Sequence, residues 1–198
     1  ISRIIGNIGY FLEPIILTAV MIQAGYSNTY IIRQYAIYNT YVIGILIVPT
    51  FFLAALSTSL LPEISKNINN NEKVRRLFKK VMLASFILGI VANTFIYFTA
   101  SYILKILFNT QDGLTYIKFL SFFFILFYFE APLTSILQAY NEASYVMKTT
   151  IIGIIVKILS MTLLSFLKIG IYSLILAEII NIIVVTGLNY YKVKKILK

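Results

Sequence analysis

Apolar runs longer than a soluble core can hide decide what this chain can fold into. Stretches of mostly apolar residues recur at 4–23, 37–61, 80–101, 114–137, 147–167 and 170–190. Each is long enough to cross the hydrocarbon layer of a bilayer as a helix, which takes about 20 residues. A membrane barrel would instead alternate apolar and polar positions over segments of about 10 residues. Of the 198 residues, 60% are hydrophobic and 12% charged, whereas soluble domains are about half apolar and a quarter charged. No soluble fold of this size buries so much apolar surface. Lipid must therefore be the solvent for most of the chain, and the expectation is an all-α membrane protein with six transmembrane helices.

Charge orients such a bundle. The formal net charge is +10, from 17 basic and 7 acidic residues. With the first loop end placed in the cytoplasm, that side collects Arg3, Lys66, Lys73, Arg75, Arg76, Lys79, Lys80, Lys148, Lys192, Lys194, Lys195 and Lys198. The other side holds Arg33, Lys105, Lys118 and Lys168, and Lys157 is left inside a span. An excess of Lys and Arg marks cytoplasmic loops, so both termini of this segment are expected in the cytoplasm. The chain begins with Ile rather than Met, and is read as part of a longer protein.

The longest polar stretch, Glu63 to Lys80, is expected to contain a short amphipathic helix. Asn69, Asn70 and Asn71 suit an N-cap, and Glu72 suits a helix N-terminus. Val74, Leu77 and Phe78 then share a face, flanked by Lys73, Arg75, Arg76, Lys79 and Lys80. Such a helix would lie on the inner membrane surface. Nucleic acid is the sharper alternative for a basic run, but a basic segment beside an apolar span ordinarily meets anionic lipid, so no nucleic acid is expected. A second surface piece is expected at Tyr102–Phe108, ending in the turn at 109–113. Tyr38, Tyr41, Tyr97, Tyr102, Tyr116, Tyr190 and Tyr191 fall near span ends, as an aromatic belt would.

Polar residues at depth carry the most information, because a charge facing lipid costs about 2.5–3.5 kcal/mol on insertion scales. Glu13, Glu130, Lys157 and Glu178 all fall within spans. Lys157 and Glu178 lie roughly 15 and 12 Å from the same end of two consecutive antiparallel helices, at about 1.5 Å per residue. They sit at comparable height and are able to pair. Two readings remain open: a structural ion pair, or a Lys157 left wholly or partly free to bind an anionic substrate. Glu13 precedes Pro14, whose missing N–H frees the carbonyl of Tyr10; this is either a proton or cation site or a neutral, hydrogen-bonded acid. Glu130, two residues before Pro132, reads as interfacial and within reach of water. Asn93 and Gln138 are further polar groups at depth, read as cavity-lining or as interhelical hydrogen bonds. Pro14, Pro49, Pro62 and Pro132 all lie in or at the end of a span, where they would break helices as transporters do.

Chemistry by familiar routes is absent. There is no Cys and no His, which removes thiolate metal sites and the commonest general base. No glycine-rich phosphate loop and no nucleophile beside a base is present. Neither an enzyme, a metal site nor a cofactor is expected.

Three segments together carry a resemblance. They are Phe11-Leu12-Glu13-Pro14-Ile15-Ile16-Leu17-Thr18, then Ala55-Leu56-Ser57-Thr58-Ser59-Leu60-Leu61-Pro62-Glu63-Ile64-Ser65, then Ile136-Leu137-Gln138-Ala139-Tyr140-Asn141. With Lys157 in the fifth span, the chain resembles the C-terminal half of polysaccharide-biosynthesis flippases of the stage V sporulation protein B type. These are relatives of lipid II flippases and of multidrug and toxic-compound extrusion proteins. The resemblance implies one six-helix lobe of a two-lobed fold of 12–14 helices in the bacterial cytoplasmic membrane, with the N-terminal lobe as partner. It implies alternating access and an undecaprenyl-pyrophosphate-linked saccharide or peptidoglycan precursor as substrate. A buried Lys157 suits a pyrophosphate headgroup. The alternatives are a cation-coupled multidrug exporter of the same superfamily, or a non-transporting membrane scaffold.

Overall fold

The structure, a computed structural model, describes residues 2–197, with side chains described from residue 9 onward. Arg3 and Lys198, two of the orienting charges, have side chains outside the described residues. Helices follow one another with short turns: α1 (Ser2–Gln23), α2 (Asn28–Ile47), α3 (Thr50–Lys66), α4 (Asn71–Phe108), α5 (Leu114–Ala139), α6 (Ala143–Ser165) and α7 (Tyr172–Ile196). Among the described residues there is no strand.

Four of these, α4 to α7, are long and apolar enough to cross a membrane. The pair α2 and α3 makes a fifth crossing if its 54° bend belongs to one broken span. The described part of α1, Gly9–Gln23, is an apolar helix shorter than a crossing. The count is therefore slightly below the six expected. The reasons are physical: Pro49 interrupts the ladder of the second span, and the described apolar length of the first is short. The second span also starts earlier than its hydropathy suggests. Ser27 caps α2 by accepting from the Tyr30 N–H at 3.3 Å, and residues Ile37–Ile43 wind as a π-helix.

Not all prolines break helices. Pro14 and Pro62 lie inside continuous helices, where a missing N–H removes one ladder bond without ending the helix. Pro49 stands at the 54° bend. Pro132 follows a five-residue 3-10 stretch, Ile125–Phe129, inside α5.

The two expected surface helices are both absorbed into α4. Asn70 caps it by accepting from the Lys73 N–H at 3.0 Å, and Asn109 ends it in the left-handed conformation at φ 51°. Nothing between them breaks a helix, so 38 residues wind without interruption. At 1.5 Å per residue that is about 57 Å, well beyond the ~30 Å hydrocarbon layer. The expected face survives inside the longer helix. Val74 is buried, Leu77 and Phe78 are half-buried, and Lys73, Arg75, Arg76, Lys79 and Lys80 are exposed. Arg75 donates to the Leu197 carbonyl at 2.5 Å, tying this end to the end of α7.

Packing runs α1 on α6, α6 against α7 as a hairpin, α5 on α7, α4 along α5, and α3 on the second half of α5. One large apolar core fills the end away from the basic loops, and a smaller one built on Leu60, Ile64, Val74, Leu133 and Val193 fills the basic end. Around both, Phe51, Phe52, Phe98, Ile106 and Phe122 are more than two-thirds exposed, as side chains bathed in lipid would be. Of the tyrosines read as a belt, Tyr102 and Tyr191 are exposed, but Tyr38 is a core residue at 2% exposure.

The α6–α7 contact leaves no room at Gly153. A Cβ there would stand 2.5 Å from Asn181 Oδ1 and from Val185 Cγ2. Gly187, also helical, has open space around its missing Cβ. Gly153→Val is expected to cost about 1–3 kcal/mol by overpacking, and Gly187→Ala to stabilise by up to about 1 kcal/mol through helix propensity. Thermal unfolding of the two variants in detergent checks both signs.

Candidate functional site

Three helices place ionisable groups on facing sides at one depth. On α1, Tyr10 and Glu13 are three residues apart and share a face. On α6, Thr150, Ile154, Lys157 and Met161 follow at helical spacing. On α7, Glu178, Asn181, Ile182 and Val185 do the same. Together with Phe127 and Glu130 from α5, these residues line a cavity of about 150 Å³.

Lys157 is at its centre. Its Nζ forms ion pairs with Glu13 Oε2 and with Glu178 Oε2, the latter at 2.5 Å. All three side chains are nearly sealed, at 12% exposure for Lys157, 8% for Glu13 and 12% for Glu178. An ammonium has three donors, so two carboxylates leave part of its capacity toward the cavity. The formal charge of the triad is +1 − 2, or −1.

The hairpin that positions Lys157 against Glu178 is laced along its length. From the turn inward, Ser165 meets Ser173 at 3.2 Å, Lys157 meets Glu178, Thr149 donates to Asn189 Oδ1 at 2.9 Å, and Lys192 pairs with Glu142 at 2.7 Å. Ser165–Ser173 and Thr149–Asn189 join positions equidistant from residue 169 in the turn, while the longer side chains of Lys157–Glu178 and Glu142–Lys192 bridge positions offset by three and four residues. In lipid, polar contacts of this kind hold helices together where the hydrophobic effect does not.

Glu13, Lys157 and Glu178, named from the sequence, thus meet in one place, with Lys157 paired to Glu13 as well as to Glu178. Gln138 and Asn93 do not join them. Gln138 is exposed at the end of α5. Asn93 is buried on α4, donates to the Gly89 carbonyl at 2.8 Å, and faces a separate small pocket with Tyr97 and Ser121. Glu130, read as interfacial, instead lines the cavity, directly after the 3-10 stretch of α5. The same carboxylate also borders a second pocket at the α2–α3 bend, with Thr50 and Tyr128. Asn181, Tyr10 and Thr150 were not singled out by the sequence. Spacing alone could have found two of them: Tyr10 lies three residues before Glu13, and Asn181 three after Glu178.

The chain belongs to the MatE family. The family's pattern matches residues 8–163, which takes in Glu13, Glu130 and Lys157. Over 199 aligned residues the chain is 29% identical to "Stage V sporulation protein B" of Bacillus subtilis (strain 168). That alignment covers 99% of this chain and 38% of that protein, so the chain spans well under half the length of this relative. The resemblance read from the three segments agrees with both. No solved structure matches the chain. Within the MatE frame, the described helices are those of a multi-pass membrane chain.

Removing the centre of the triad should be costly. Lys157→Met leaves two buried carboxylates facing each other, and breaking one partner from a buried ion pair costs about 3–5 kcal/mol. The thermal midpoint of the variant is expected to fall clearly below wild type. A second change, Glu178→Gln, should recover part of the loss by removing the repulsion. Equal midpoints for Lys157→Met and wild type would show that the triad contributes nothing to folding.

Proposed function

We propose that this MatE chain is one lobe of a flippase that moves a lipid-linked oligosaccharide or peptidoglycan precursor across the bacterial cytoplasmic membrane by alternating access. The observation that carries the reading is the buried Glu13–Lys157–Glu178 triad at the wall of a cavity within an apolar bundle. Charges at such depth are costly, and a scaffold needs none of them facing a cavity. The donor capacity of Lys157 not used by Glu13 and Glu178 suits phosphate oxygens of an undecaprenyl-pyrophosphate headgroup. The N-terminal lobe of the same protein would supply the opposite wall.

The proposed orientation places both termini in the cytoplasm. Its support is the gathering of Lys66, Lys73, Arg75, Arg76, Lys79, Lys80, Lys148, Lys192, Lys194 and Lys195 at one end of the bundle, as positive-inside sorting requires.

One observation favours a second reading, a cation-coupled exporter. The cavity wall carries the carboxylates of Glu13, Glu178 and Glu130 against the single ammonium of Lys157, an excess that attracts cations rather than phosphates. The two readings part in one experiment on the full-length protein reconstituted in vesicles. For the flippase, Lys157→Ala should lower the initial rate of lipid-linked saccharide translocation by about tenfold or more, the factor that ~1.4 kcal/mol of lost binding gives. For the exporter, Lys157→Ala is tolerated while Glu13→Gln abolishes ion-driven efflux. Full translocation by the swapped pair Lys157→Glu with Glu178→Lys would reduce the triad to a structural clamp and sink the ligand role.

A further inference from the structure

At the end of the bundle away from the basic loops lies a second cavity, of about 320 Å³, which shares no lining residue with the triad cavity. Its walls come from three places. The early turns of α2 supply Arg33 and Gln34, the α4–α5 turn supplies Gln111 and Asp112, and the starts of α5 and α7 supply Tyr116 and Tyr172.

Local hydrogen bonds hold this site together at the surface, where the Arg33 and Asp112 side chains are 68% and 44% exposed. Gln111 folds back on α4, its Nε2 donating to the Ser101 carbonyl at 3.1 Å and its Oε1 accepting from the Ser101 hydroxyl at 2.9 Å. The Asp112 N–H donates to Thr110 Oγ1 at 3.0 Å. Gly113 then takes φ +86°, and a Cβ there would meet Ile37 Cγ2 at 2.9 Å. Only glycine lets the turn sit so close to α2. That closeness brings Asp112 Oδ2 to 2.9 Å from Arg33 Nη2, while the Tyr116 hydroxyl donates to Gln34 Oε1 at 2.9 Å.

What remains unspent selects the ligand. The other guanidinium N–H groups of Arg33, the second oxygen of Asp112, the amide nitrogen of Gln34 and the hydroxyl of Thr115 make no hydrogen bond among the described residues. This is a mixed set of donors and acceptors. Arg33 and Asp112 cancel, so a phosphate finds no net charge, and no cluster among the described residues could hold a metal ion. Tyr116 and Tyr172, which line the cavity, stand edge to face at 5.2 Å and give it an aromatic wall. Hydroxyls that both donate and accept, on a ring with an apolar face, match such a pocket; anions and cations do not.

We infer that this outer cavity is a binding site for an uncharged saccharide, at the face opposite the basic loops. Its biological meaning rests on the flippase reading, in which a headgroup sugar reaches or leaves that face. The binding itself does not.

The test uses full-length protein in nanodiscs, with N,N′-diacetylchitobiose and maltose as probes, read by saturation-transfer difference NMR. Saturable transfer to at least one disaccharide is expected. It should weaken about tenfold, or ~1.4 kcal/mol, in Asp112→Ala, which unties the Arg33 pair. It should vanish in Thr115→Trp, which fills the mouth and leaves that pair in place. Lys105→Trp, exposed at the same end but outside the cavity, should bind as wild type. Circular dichroism melts of each variant separate lost binding from lost folding. No saturable transfer with either probe, transfer indifferent to Thr115→Trp, or displacement by inorganic phosphate would each overturn the inference. If the wild type binds sugar while Lys157→Ala translocates normally, the triad's role fails and this site stands. If it binds no sugar, this site fails whatever the transport assay shows.

Discussion

Lys157 brings a positive charge into an environment where charge is costly, and two helices answer it with carboxylates. Glu13 comes from α1 and Glu178 from α7, so one ammonium ties three helices at a single depth. Neither carboxylate would be tolerable there alone. Neither helix could rotate or slide by a turn without exposing a charge to lipid, at about 2.5–3.5 kcal/mol on insertion scales. The triad therefore fixes the register of α1 on α6 and of α6 on α7. Apolar packing cannot do this by itself, since lipid tails are as apolar as the side chains they would replace.

Much else follows from that constraint. The α6–α7 hairpin carries further polar rungs at Ser165–Ser173, Thr149–Asn189 and Glu142–Lys192. All of them agree with the alignment that Lys157 and Glu178 require. Gly153 then becomes a requirement rather than an accident, because at this register Asn181 and Val185 occupy the space of its side chain. Asn181 is held beside the triad by the same contact. The cavity is closed on its remaining side by Phe127 and Glu130 of α5, in and just after the 3-10 stretch at Ile125–Phe129.

The all-helical class and the depth match of Lys157 with Glu178 were legible in the sequence. They depend on hydropathy and on counting residues from a turn, which are local properties. Joining Glu13 to that pair was not legible, because nothing in a sequence states which of the other helices packs on α6. The fate of Glu130 was hidden for a different reason. Its depth depends on the pitch of the preceding five residues, and an apolar run reads alike in α-helical and 3-10 form. Tyr38 was misplaced because proximity to a span end says nothing about which way the ring faces. The surface helices expected at the two ends of α4 failed by the same logic. Their amphipathic faces are real, but without a proline or a glycine turn an amphipathic end simply continues its helix.

Under the proposed reading, the two cavities would divide the chemistry of a lipid-linked saccharide between them. One is central, lined by ionisable groups and by apolar side chains such as Ile154, Ile158 and Ile182. The other is at the outer end, electrically balanced by Arg33 and Asp112 and walled by aromatic rings. A substrate with a charged linkage and a neutral sugar has one part suited to each. The central site cannot be a simple anion trap, however, because its own charge is negative while both acids are ionised. Any phosphate entering must compete with Glu13 and Glu178 for one ammonium. Such competition keeps binding weak, and a transporter needs that, since a headgroup gripped by an unopposed lysine would not leave. It also ties occupancy to register: loosening either carboxylate to admit a phosphate loosens the joint between α1, α6 and α7. Under the proposed reading, substrate entry and helix movement are one event at one residue.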